Sequence, residues 1–217
     1  MNPDREHAAE AQQPGGGRRR GSGGALPREI GAWLHIAEDG AISAYTGKAE
    51  VGQNIRTSLA QAVADELRVP AESVRLVMAD TARTPYDMGT FGSRTTPAMA
   101  TQLRKVAATA RERLIDLAAE RWKTDRAGID IANGKVTARA TGQSFGLGEL
   151  TQGKKLLETI GEDAPTTPAG KWEAAGRSVP KADGRAFVTG RHAYASDVKR
   201  PGLLYGKVLR HRAAPGA

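Results

Sequence analysis

Two short turns hold the residues best suited to chemistry in this chain. The first runs Glu50-Val51-Gly52-Gln53-Asn54-Ile55-Arg56-Thr57, and the second Gly89-Thr90-Phe91-Gly92-Ser93-Arg94-Thr95-Thr96-Pro97. Glycine lets backbone N–H groups approach a ligand and adopt dihedrals that other residues resist. A helix that follows such a turn adds unpaired N–H donors and the positive end of its dipole. Ser93 and Thr95 add hydroxyls, Arg94 adds charge, and the Gln53 amide both donates and accepts. This set suits a phosphate or a polar heterocycle gripped from two sides. Each turn alone also has a plain structural explanation: Gly52 need only permit a tight turn, and Ser93, Thr95 and Pro97 need only start a helix. Neither Gly-x-Gly-x-x-Gly nor Gly-x-x-x-x-Gly-Lys-Ser/Thr occurs.

The elements that must position these turns are legible from periodicity. Trp33-Leu34-His35-Ile36 and Ala41-Ile42-Ser43-Ala44-Tyr45 read as two strands around an Asp39-Gly40 hairpin signal. Leu59, Val63 and Leu67 recur at steps of four, which predicts a helix over 55–67 ended by Pro70. Val74 to Met78 reads as a strand. The long stretch 80–93 is turn-rich, and long loops are often functional. A second helix is predicted over 97–123, capped by Thr95 or Thr96, with Met99, Leu103, Val106, Ala110, Leu114, Leu117 and Ala118 on one stripe. Asn133-Gly134 predicts a further hairpin over 129–137.

The chain divides by composition. Residues 1–27 are Gly/Arg-rich and too polar to offset the entropy of ordering, so they read as a disordered tail. Residues 28–150 hold the turns and their helices, 151–178 read as a linker or extended strap, and 179–217 begin a new unit. Short strands are expected there at Phe187–Gly190, Tyr194-Ala195 and Leu203–Leu209.

The 217 residues carry a net charge of +8, with 39% hydrophobic and 5% aromatic residues and no cysteine. Zero cysteines exclude disulfides, a protein-held iron–sulfur cluster, Cys-ligated zinc and thiol catalysis. The excess charge is partly local, at Arg18-Arg19-Arg20 and at Lys199, Arg200, Lys207, Arg210, His211 and Arg212, and reads as solvated. A basic nucleic-acid-binding protein is the competing class, but aromatics are sparse and no helix-turn-helix, RRM or zinc pattern is present. The four histidines show no metal-ligand spacing, so no metal ligand is assigned, and no catalytic set is assigned either. Asp65-Glu66 and Asp80 read as surface and cap residues. No apolar run reaches the roughly 18 residues of a membrane span, and no secretory signal follows the early arginines. A cytoplasmic location is expected on that ground.

Taken in order, the motifs resemble a known family. Ala44-Tyr45-Thr46-Gly47-Lys48-Ala49-Glu50-Val51-Gly52-Gln53-Asn54-Ile55-Arg56-Thr57 resembles the Gly-Gln turn of the molybdopterin-binding large subunits of xanthine dehydrogenases and aldehyde oxidases, of the isoquinoline 1-oxidoreductase and nicotinate dehydrogenase type. Val69 to Arg75 and Gly92 to Pro97 match two further stretches of those subunits. Ser178 to Gly190 and Asp197 to Arg210 resemble the entry to the family's α/β hammerhead domain. The fold implied is α+β: β-hairpin, helix, strand, long helix and β-hairpin of a molybdopterin-binding domain, then the beginning of a hammerhead domain.

The resemblance implies an oxidoreductase that hydroxylates aldehydes or N-heterocycles with water-derived oxygen. Gly52, Gln53 and Asn54 would contact the pterin, and Gly92, Ser93, Arg94 and Thr95 its phosphates. Asn54 departs from the commoner Gly. The cofactor would be molybdopterin, with a cytosine dinucleotide as one form. The implied partners are a small subunit carrying [2Fe-2S] clusters and a cytochrome c or other electron acceptor; a periplasmic location is known in the family. The family's catalytic glutamate lies late in a far longer chain, so these residues are expected to supply part of the cofactor site, as a non-catalytic piece or assembly module, without catalysing alone.

Overall fold

The computed structural model describes residues 25–210. The Arg18–Arg20 cluster, most of the Gly/Arg-rich tail, and His211 and Arg212 lie outside them. At the Asp39-Gly40 turn, Ala37 N–H donates to Ala41 O at 2.9 Å and the Asp39 carboxylate accepts from Ala41 N–H at 2.9 Å. This turn joins β1 (Leu34–Ile36) to β2 (Ile42–Thr46) as an antiparallel pair with Leu34 opposite Ala44. Burial alternates along both strands, so Leu34, Ile36, Ile42, Ala44 and Thr46 face the core.

The chain then crosses over through α1 (Ile55–Leu67) to β3 (Val74–Met78), which pairs with β2 in parallel, Thr46 opposite Met78. Parallel neighbours need such a crossover because no tight turn can join them. The α1 bounds equal those read from the sequence. The helix is buried almost all round because it packs against both β3 and α2 (Thr95–Trp122). Arg68, in the left-handed region at φ 57°, closes it two residues before Pro70. Met99, Leu103, Val106, Ala110, Leu114 and Ala118 of α2 are buried as the stripe predicts, and Leu117 packs on the edge of the core.

Asn133 and Gly134 both take positive φ, 49° and 71°, as a two-residue hairpin turn requires. They join β4 (Ile129–Ala132) to β5 (Lys135–Ala138), and β6 (Ser144–Gly146), which the sequence reading lacked, completes a second antiparallel sheet. Trp122 stacks on Phe145 at 4.9 Å, tying this sheet to the end of α2. A five-residue helix, α3 (Leu147–Thr151), follows.

Asp65 and Glu66 are not surface residues. They are 3% and 0% exposed and hold the stretch after α3 against the two helices. The Glu66 carboxylate accepts from Arg104 Nε at 2.8 Å, Arg111 Nη1 at 3.0 Å, and the backbone N–H and hydroxyl of Thr167 at 2.9 Å each. Asp65 accepts from the backbone N–H groups of Glu173, Ala174 and Ala175 at 2.7–2.8 Å. Arg111 is itself buried. Earlier in the same stretch, residues 156–160 run beside 28–31, with Ile30 N–H donating to Glu158 O at 3.0 Å and Gly31 N–H to Leu156 O at 2.8 Å.

The strands expected over 187–209 do not form. Phe187 and Val188 end a short helix, α4 (Gly184–Val188), Ala195 opens a 3-10 turn, and 203–209 has no regular structure. Leu204, Tyr205, Val208 and Leu209 are each more than 80% exposed. A strand needs a hydrogen-bonding neighbour, and among the described residues none pairs with this segment.

Replacing Glu66 removes the acceptor shared by two guanidiniums and the Thr167 backbone. Glu66→Ala is expected to lower unfolding free energy by about 3–5 kcal/mol, the usual cost of stranding one half of a buried ion pair. Urea titration followed by circular dichroism measures this, and a loss below about 1 kcal/mol would show that water reaches the pocket and replaces the carboxylate.

Candidate functional site

The parallel pairing of β2 and β3 decides where the two turns sit. Both strands run the same way and end level, at Thr46 and Met78, so the segments leaving them emerge on one edge of the sheet. In open sheets with parallel strands, ligands bind outside these carboxyl ends. The first turn follows β2 and starts α1; the second follows β3 and starts α2.

The two loops are fastened to each other. Lys48 Nζ lies 2.8 Å from Asp87 Oδ1 and donates to Gly89 O at 2.6 Å. Ala49 N–H donates to the Thr90 hydroxyl at 2.8 Å, and the hydroxyls of Ser58 and Thr96 are 2.9 Å apart. Gly47 permits this closeness: a Cβ there would lie 2.5 Å from Asp87 Cβ and 2.6 Å from Pro85 O. Between the turns runs a groove of about 470 Å³, with Val51, Gln53 and Ile55 on one bank and Thr90, Phe91, Gly92, Ser93, Thr95 and Thr96 on the other.

Of the seven residues chosen from sequence, Gln53, Gly92, Ser93 and Thr95 line this groove, whereas Gly52, Asn54 and Arg94 do not. Gly52 holds the turn at φ 102°, where a side chain would be strained. Asn54 sits at φ 64°, ψ 28°, a left-handed position that Asn tolerates, and its amide oxygen accepts from the Thr57 hydroxyl at 2.7 Å. Arg94 is exposed beside the groove as the residue preceding α2.

The first turn differs from a bare anion cradle. Three of its N–H groups are already occupied by Glu50, whose Oε1 accepts from Gly52 N–H at 2.9 Å and Asn54 N–H at 3.0 Å while Oε2 accepts from Arg56 N–H at 3.0 Å. Burial pushes the Glu50 carboxyl up, but these three donors and the nearby Lys181 outweigh it and hold the group below its usual value of 4.5. Sequence reasoning missed this residue, although an acid two to six residues before free helix N–H groups is the available signal. The Gln53 amide also folds onto the turn: its oxygen accepts from Val51 N–H at 2.6 Å and its nitrogen donates to Ala49 O at 3.1 Å. One amide N–H and one lone pair remain for a ligand.

In the second turn the Asp87 carboxylate accepts from Gly89 N–H at 2.8 Å, but no carboxylate caps the start of α2. α2 begins at Thr95, earlier than predicted, so neither Thr95 nor Thr96 caps it. Thr95 is buried, the Thr96 hydroxyl meets Ser58, and no side chain caps this end. A 28-residue helix therefore presents its positive end to the groove beside the Ser93 hydroxyl. Ser93 holds φ 53°, unusual for a residue with a side chain. The Thr90 hydroxyl, accepting from Ala49, keeps its proton to donate.

A second groove of about 380 Å³ lies elsewhere, lined by Arg113, Arg121, Lys154 and Lys155, and neither turn contributes to it. Among the described residues no cluster of three or more His, Asp or Glu side chains is placed to hold a metal ion, and no helix is long and apolar enough to cross a membrane.

Glu50 ties acidity to stability. Its depressed pKa means its contribution is complete above the usual carboxylate value of 4.5 and is lost as pH falls through the lower folded-state value. At pH 7, Glu50→Gln is expected to cost on the order of 1 kcal/mol, as for a lost helix cap. The gap between the two proteins in urea titrations should close as pH falls below 4.5; a gap independent of pH would show that the carboxylate charge plays no part.

Comparison with known proteins adds a family to this geometry. Residues 5–199 match the molybdopterin cofactor-binding domain. A nicotinate dehydrogenase component of Pseudomonas putida is 37% identical over 183 residues, which cover 84% of this chain and 15% of that protein. An isoquinoline 1-oxidoreductase component of Brevundimonas diminuta is 26% identical over 215 residues, covering 81% and 28%. Among solved structures, quinoline 2-oxidoreductase from Pseudomonas putida 86 aligns with a TM-score of 0.47 and 28% identity over 54% of this chain and 15% of that one. The chain thus spans a minor part of the length of the relatives it matches.

Proposed function

The chain belongs to the family of molybdopterin cofactor-binding domains, and from that premise we propose that its paired turns hold one side of a molybdenum cofactor within an oxidoreductase of the molybdenum hydroxylase class. When bound, the cofactor supplies the redox centre for hydroxylating an aldehyde or N-heterocycle with oxygen taken from water. The observation that supports this reading is the single groove bordered by both turns at the carboxyl ends of two paired parallel strands.

The chain's own residues divide the work by their chemistry. The second bank offers donors: the α2 N-terminus, the Ser93 and Thr90 hydroxyls, and the adjacent Arg94 charge. Donors with positive potential fit the oxygens of a phosphate or pyrophosphate. The first bank offers the remaining donor and acceptor of the Gln53 amide, which fit the edge of a polar ring such as a pterin. Gly52 and Asn54 set the backbone path that presents this amide. A cytosine dinucleotide form, whose pyrophosphate would reach the second bank, agrees with the donor set. Electrons would leave through [2Fe-2S] clusters on a partner subunit to a cytochrome c or other acceptor, and the segment from residue 179 would begin the hammerhead domain.

Calorimetric titration of the 217-residue chain with inorganic pyrophosphate in 0.15 M chloride tests the second bank. The Ser93→Ala/Arg94→Ala double variant is expected to bind at least about tenfold more weakly, the scale of one lost charge-assisted hydrogen bond. Unchanged affinity in the variant would overturn the assignment of phosphates to this turn.

A further inference from the structure

The two helix N-termini beside the groove are not alike. That of α1 is filled from within by Glu50, whose two oxygens accept from three backbone donors at alternate positions, at 2.9–3.0 Å. That of α2 has no side-chain cap. A phosphate approaching the first turn would find the N–H groups of Val51, Gly52, Asn54 and Arg56 already paired and would meet a carboxylate of like charge. Displacing Glu50 would strand a half-buried anion beside Lys181 and break three charge-assisted bonds. The same carboxylate shapes the turn, since Gly52 at φ 102° and Asn54 at φ 64° are residues whose N–H groups it holds.

We propose that Glu50 is a positioning and specificity-determining residue: a built-in anion that closes the α1 N-terminus to phosphate, so that the first turn addresses its ligand only through neutral hydrogen bonds from Gln53 while phosphates are directed to the second turn. The register of a phosphate-bearing ligand in the groove is set by this asymmetry. Two equally open helix ends would accept the ligand in either direction, whereas one closed end leaves a single orientation. The proposal rests on the cofactor reading for the second turn, but the closure of the first is a property of this chain's own residues.

Amide-resolved NMR of the whole chain, titrated with inorganic pyrophosphate at constant ionic strength, tests it. In the wild-type protein, the amides of Ser93, Arg94, Thr95 and Thr96 should shift and those of Gly52, Asn54 and Arg56 should stay still. In Glu50→Ala the latter three should become responsive, with apparent affinity at least tenfold above wild type at that turn. Glu50→Gln, nearly the same shape without the charge, should show the same gain in smaller measure and serves if the alanine variant does not fold. Wild-type Gly52, Asn54 and Arg56 amides that track pyrophosphate as Ser93 does would overturn the proposal, as would a folded variant whose first-turn amides stay silent. Silence at Ser93 to Thr96 with a gain at the first turn of the variant would instead remove the phosphate assignment of the second turn and leave the Glu50 inference standing.

Discussion

The carboxylate of Glu66 is the constraint on which the arrangement of helices depends. It sits at the end of α1 with no exposed surface, where an unpaired charge would be prohibitive. Two arginines from α2 and the Thr167 N–H and hydroxyl share it, so α1, α2 and the stretch around 167 must meet at one point. Arg111 extends the lock by donating to Glu66 O as well as to its carboxylate. The Arg104 guanidinium lies 5.0 Å from the Trp172 ring, and the Trp172 indole donates to Thr167 O at 3.0 Å. With the helix pair fixed at this end, the opposite ends, where both turns lie, have little freedom to separate.

Local signals were legible in the sequence because their causes are local. The α1 bounds follow from Leu59, Val63 and Leu67 and from the stop at Arg68 to Pro70; the β4–β5 turn follows from the φ preference of Asn133-Gly134. The two turns were legible as a pair, and the ordered motifs pointed to the family that residues 5–199 match. The failures share a different cause. Asp65 and Glu66 look like surface acids because their partners are remote in sequence: Arg104 and Arg111 on another helix, and 167 and 173–175 about a hundred residues away. Thr95 and Thr96 look like caps because their neighbour Ser58 is invisible from position 96. The apolar alternation in 203–209 suits a strand, but alternation states a need for a neighbour and does not supply one.

Glu50 and Asp65 put the same chemistry to two uses. Each offers one carboxylate to three backbone N–H groups. Asp65 gathers donors from a remote segment and thereby fastens it to α1; Glu50 gathers donors from its own turn and thereby fixes a shape. Such bonds are stronger than neutral ones and depend little on side-chain identity in the donating segment. The stretch 173–175 can therefore vary in sequence while keeping its backbone path, provided Asp65 remains, whereas 50–56 also needs the glycine at φ 102°.

The fastening of one turn to the other also orders events in time. Lys48 reaches Gly89 and Ala49 reaches Thr90 across 41 residues, and the parallel strands below them are joined through the intervening helix. Contacts of this kind wait on loop closure and form late in folding. The hairpin of β1 and β2 and the turns of α2 are local and can form early. The groove then closes after these local elements, and whatever enters it meets a hairpin and helices already formed. Occupancy would follow the assembly of those elements rather than guide it.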